Sequence, residues 1–68
     1  MANIKLTTQN GVIYPSDLQN LSYDEAVTQL DLLSQKTGHE DWELDRQGED
    51  AICLNHTNGD FSLYEIED

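Results

Sequence analysis

Apolar and polar positions alternate at the start of the chain: Ile4, Leu6 and Thr8 are separated by Lys5 and Thr7, and Asn10-Gly11 then leads into Val12-Ile13-Tyr14. A period of two describes a strand with one buried face. An Asn-Gly pair tolerates the positive φ angles of a two-residue type I′ turn. The pattern therefore predicts a hairpin with strands at about 3–9 and 12–14, the second ended by Pro15, which has no amide to donate.

The period then lengthens. Ser22-Tyr23-Asp24-Glu25 fits a capping box, so a helix should begin at Tyr23. Tyr23, Ala26, Val27, Leu30 and Leu33 fall on one face of it, opposite Asp24, Thr28, Asp31 and Gln35, while Leu32 lies off the stripe. Lys36 complements the dipole of the last turn, and Gly38 suits the left-handed position just beyond it.

From Trp42 the period returns to two. Trp42 and Leu44 share one face and Asp41, Glu43 and Asp45 the other; Gln47-Gly48-Glu49-Asp50 reads as a turn. Ile52 and Leu54, with His56 a candidate third, form the next inward set, and Asn58-Gly59 opens a second tight hairpin into 61–66. The phase slips between Leu63 and Tyr64, which calls for a bulge or a last strand covered on both faces. The predicted order is ββαβββ: an α+β chain of one domain, 1–68, with a single antiparallel sheet and one helix packed on it.

Composition changes this picture in one respect. Apolar content is 37% and the formal net charge is −11 over 68 residues, a combination that approaches that of unfolded chains. Agreement among turns, cap and alternation argues instead for a folded domain with a thin core. The charge excludes a conventional nucleic-acid binder and points to basic partners. It is also unevenly spread: residues 1–39 carry four acids and two bases, residues 40–68 ten acids and Arg46. Alternate residues of a strand repeat every ~6.6–6.8 Å, so Asp41, Glu43 and Asp45 would form a row of negative charge. The phosphates of one DNA strand advance about 3.4 Å per step, and such a row could follow every second one.

Other chemistry is poorly supported by the residues. Asp41-Trp-Glu-Leu-Asp45 begins like a calcium loop, but Arg46 stands where glycine is required and Ile52 where glutamate is required. His39, Glu40, Asp41 and His56 lack zinc-site spacing. Cys53 and His56, three apart on a strand, point to opposite faces and cannot act as nucleophile and base. The expectation is a protein that is not an enzyme, with no cofactor and no metal. A lone Cys53 and a polar N-terminal stretch fit the cytoplasm, and no apolar run is long enough for a membrane span. Of the aromatic residues, Tyr64 is expected to be exposed, as is Leu32.

In size, charge and organisation, though in no specific motif, the chain resembles the small acidic phage-encoded anti-CRISPR proteins of the DNA-mimic type. The resemblance implies an inhibitor in the host bacterial cytoplasm whose acidic face occupies the basic DNA channel or PAM-reading site of a CRISPR effector complex. The residues that would carry this are Asp41, Glu43, Asp45, Glu49, Asp50, Asp60, Glu65 and Glu67. It implies a basic nucleic-acid-binding protein as partner, with no direct nucleic-acid or membrane binding, and a monomer or weak homodimer. A second reading is an acidic immunity-type, antitoxin-like or regulatory module of a bacterium, anchored by an apolar patch such as Leu32 and Tyr64.

Overall fold

The computed structural model describes residues 1–36 and 42–68. One helix packs on one face of a five-stranded antiparallel sheet, an α+β arrangement. The elements in chain order are β1 (Asn3–Thr8), β2 (Gly11–Ile13), a 3-10 turn (Ser16–Leu18), α1 (Tyr23–Lys36), β3 (Trp42–Arg46), β4 (Ala51–His56) and β5 (Phe61–Glu67). This is the ββαβββ order that the periodicity predicts. The 3-10 turn has no signal in the apolar pattern, and the predicted cap Gly38 lies outside the described residues.

Helix α1 starts as its sequence dictates. The Glu25 amide donates to Ser22 Oγ at 3.1 Å, and the Ser22 amide donates to Glu25 Oε1 at 3.3 Å, which closes the reciprocal box. The approach to the helix is fixed by backbone bonds between Ala2 and Leu21, at 2.7 and 2.9 Å. Asn20 just before it adopts a left-handed φ of 57°, with its amide donating to Asn3 Oδ1. The helix is thereby tied to the first strand before it crosses the sheet.

Both hairpins form, with turns other than the type I′ turn that Asn-Gly suggests. A type I′ turn needs positive φ on both central residues. Asn20 is the one non-glycine among the described residues with a positive φ, so Asn10 and Asn58 do not meet that requirement. In the first hairpin the strain is taken by Gly11 alone (φ 125°), with the Asn10 amide donating to Thr8 Oγ1. In the second, the His56 amide donates to the Asp60 carbonyl and the Gly59 amide (φ 98°) to the His56 carbonyl, a three-residue loop ending in a left-handed glycine. The Asn58 side chain caps that loop by accepting from the Asp60 amide.

The strands lie in the order β2-β1-β5-β4-β3, so the last strand in sequence is the middle one and β2 and β3 are the edges. β5 pairs without interruption on both sides, from Thr8↔Ser62 to Asn3↔Glu67 and from Asn55↔Phe61 to Ala51↔Glu65. No bulge is present. The phase slip after Leu63 reflects a central strand that is half-buried from Phe61 to Ile66.

Residues paired across strands share a face. Ile4, Leu6, Ile52, Leu54, Tyr64, Ile66, Trp42 and Leu44 thus occupy the face under α1. The core is built there from Ala2, Ile4, Ala26, Leu30 and Ile52, with Leu18, Leu21, Leu33, Tyr64 and Ile66 around it. Each fully buried Ile or Leu stabilises the fold by roughly 1.5–3 kcal/mol. Tyr64, expected to be exposed, packs against this core. Tyr23, expected on the buried stripe, is exposed because it sits at the first helical position, where its hydroxyl donates to Glu49 Oε1 at 3.3 Å. Leu32 is exposed, as its position off the stripe implies.

Candidate functional site

The opposite face of the sheet is covered by no other described element, and four acids of the second half of the chain stand on it. Strand alternation puts Glu43 and Asp45 of β3 on this face, opposite to Trp42 and Leu44. Pairing then aligns Glu43 with Asn55 and Phe61, Asp45 with Cys53 and Leu63, Glu65 with Ala51 and Lys5, and Glu67 with Asn3. Four carboxylates therefore run diagonally from the edge strand β3 to the far end of the central strand β5. Alternate residues of a strand are about 6.8 Å apart and strands about 4.8 Å, so each pair of acids on the diagonal is closely spaced along its strand and the two pairs stand two strand spacings apart across β4.

Its two ends differ in their partners. Lys5 Nζ lies 3.7 Å from Glu65 Oε1, and the Tyr14 hydroxyl donates to Glu67 Oε1 at 2.9 Å. That hydrogen bond, with some burial and the nearby charge, raises the Tyr14 pKa, since ionising the phenol would put two anions together. Glu43 and Asp45 have no cation beside them among the described residues; the one other ion pair there, Arg46 with Asp31 at 2.7 Å, lies on the helix side. Among the described residues, the β3 end of the diagonal is the end without a counter-charge.

The remaining predicted acids lie elsewhere. Glu49 and Asp50 sit in the β3–β4 turn, where Glu49 accepts from Tyr23 and the Asp50 carbonyl accepts from the Ile66 amide. Asp60 lies in the β4–β5 loop at the opposite end of the sheet. Asp41 lies outside the described residues. The predicted set thus divides into a face group of Glu43, Asp45, Glu65 and Glu67 and a turn group of Glu49 and Asp50, with Asp60 apart from both.

Sequence patterning missed what shares the face with the acids. Val12, Leu63 and Phe61 lie on the same side as the diagonal, beside Cys53, and Val12 is 55% exposed. The signal was the phase slip itself, because Phe61 and Leu63 belong to the face opposite Tyr64 and Ile66. A polar cleft of about 500 Å³ adjoins the Glu67 end, lined by Asn3, Tyr14, Gln19, Asn20, Glu67 and Asp68.

Nothing in the geometry assembles a reactive centre from Cys53 and His56. Cys53 is on the open face, its thiol 3.8 Å from Asn55 Oδ1, while His56 is on the helix side, edge-on to Trp42 at 4.6 Å. Among the described residues no three of His, Cys, Asp and Glu converge as metal ligands, and no helix is long and apolar enough to cross a membrane. No protein-family model matches the chain, and no curated protein or solved structure matches it either.

Proposed function

We propose that this protein is an inhibitor that binds the basic nucleic-acid-binding surface of another protein through the acidic open face of its sheet, in the manner of DNA-mimicking anti-CRISPR proteins, with a CRISPR effector complex as the partner. The observation that carries the reading is the carboxylate diagonal, whose Glu43 and Asp45 have no internal counter-charge among the described residues. A net charge of −11 is larger than the magnitude of about 2–8 that keeps a small domain soluble, and its self-repulsion works against folding. Carboxylates at ~6.8 Å intervals on a stiff sheet can pair with Lys and Arg side chains that otherwise hold phosphates. No bond is made or broken in such a mechanism, and neither cofactor nor metal takes part.

The test is capture of effector complexes by the tagged protein, washed across a salt series and challenged with short duplex DNA. Displacement by both salt and DNA is the expected result. Glu43→Gln with Asp45→Asn should weaken capture by about tenfold or more, since removing a charge-assisted hydrogen bond costs of the order of one such factor. Capture that ignores salt, DNA and both substitutions overturns the reading.

That last outcome would favour a second reading, an immunity-type or antitoxin-like module that neutralises a basic enzyme. Its support is the apolar group Val12, Phe61 and Leu63 on the same face. Of the anchors expected for it, Leu32 is exposed and Tyr64 is taken up by the core, so Val12, Phe61 and Leu63 would stand in for Tyr64.

A further inference from the structure

The backbone of β3 points to how a partner engages it, an inference that rests on the basic-partner reading above. Antiparallel pairs alternate between residues that exchange hydrogen bonds and residues that do not. The Gln47 amide donates to the Ala51 carbonyl, which makes Gln47 and Ala51 a bonded pair and, by alternation, also Asp45 with Cys53 and Glu43 with Asn55. The β4–β5 ladder agrees: His56 bonds Asp60 and Ile66 bonds the Asp50 carbonyl, so even-numbered residues of β4 face β5 and odd-numbered ones face β3. The amides and carbonyls of Trp42, Leu44 and Arg46 therefore point away from the sheet, at an edge paired with no described strand.

The side chains along this edge alternate in kind. Glu43 and Asp45 stand on the open face; Trp42 and Leu44 stand on the helix face, where Leu44 at the margin is 44% exposed. The other edge is a poorer template, since β2 has three residues and Pro15 stands two residues beyond its end. A second copy of the chain would bring its own β3 carboxylates against these, with −11 on each molecule.

We propose that β3 accepts an extended segment of the partner as a sixth, antiparallel strand, and that this segment alternates Lys or Arg with apolar residues. Its basic residues lie beside Glu43 and Asp45, its apolar residues cover Leu44 and Trp42, and its backbone bonds the outward groups of Trp42, Leu44 and Arg46. Charge selects the segment and the ladder fixes its register.

Two synthetic peptides test this, one alternating Lys and Val and one in which Pro replaces every Val, so that charge is kept and the ladder donors on that side are removed. The Lys-Val peptide is expected to bind the whole protein about tenfold more tightly and to slow amide hydrogen exchange at Trp42, Leu44 and Arg46, with Glu43 and Asp45 unchanged. Backbone N-methylation at Leu44, which removes an outward donor and leaves the β4 ladder whole, should abolish that difference; Leu44→Pro gives the same answer by expression. Equal binding of both peptides, or binding without slowed exchange at the three amides, overturns strand addition while the acidic-face reading stands. Failure of the Lys-Val peptide to bind overturns it too, and effector capture then decides the acidic-face reading separately.

Discussion

The two faces of the sheet are built from the same strands and differ in almost everything else. Under α1, Ile4, Leu30 and Ile52 are completely buried, and among the described residues no ionisable side chain is. Across the sheet, Phe61 and Leu63 are half-buried beside Thr7, Cys53 and Asn55, and Glu43, Asp45, Glu65 and Glu67 share their face. Cohesion is concentrated on one side and charge on the other, so substitutions on the two faces should affect different measurements. Hydrophobic burial sets stability on the helix side, whereas the open face is free to carry a charge pattern that contributes nothing to the core.

The comparison would break most visibly at Ile52. Ile52→Ala should lower stability by about 2–5 kcal/mol, a large share of what so small a domain possesses. Leu63→Ala, its neighbour across the sheet, should cost about 1 kcal/mol in the same urea titration followed by Trp42 fluorescence. Equal losses would mean that the open face is a second core. Ser22→Ala comes next at about 1 kcal/mol, through loss of the helix cap, and should leave effector capture unchanged.

A smaller effect should show at alkaline pH. Burial raises the Tyr64 pKa above its ordinary 10.0, so the fold favours the protonated phenol. Below pH 10 this makes no difference. Above it the unfolded chain loses the proton first and stability falls as pH rises. Tyr64→Phe should flatten that fall in a pH series of thermal melts. The smallest change is expected from Glu43→Gln with Asp45→Asn, within about 0.5 kcal/mol of the parent and towards higher stability, because like charges are removed. Added salt should act in the same direction on the free protein, by screening, while it weakens partner capture. A double variant that is markedly less stable would show that the diagonal is structural.

Much of this was legible in the chain. Local signals identified the elements: the Ser22–Glu25 box marks the start of α1, and the alternation of Trp42 to Asp45 assigns each to its face. What failed was what depends on distant residues. Asn10 and Asn58 suggest a turn type by local preference, but the flanking strands left the positive φ to Gly11 and Gly59. Tyr64 looks exposed when β5 is read as an ordinary one-sided strand, and becomes core once β5 is known to lie between β1 and β4. The acidic row was visible within β3, but its continuation through Glu65 and Glu67 depends on a register that only pairing with β4 creates.

The central position of β5 has a consequence for how the protein is made. Without Phe61–Glu67 the sheet divides into two pairs, β2 with β1 and β3 with β4, and no strand joins them. The sheet therefore cannot close during synthesis by adding one strand after another. It forms when the last strand arrives and β1, made first, finds its neighbour some sixty residues away.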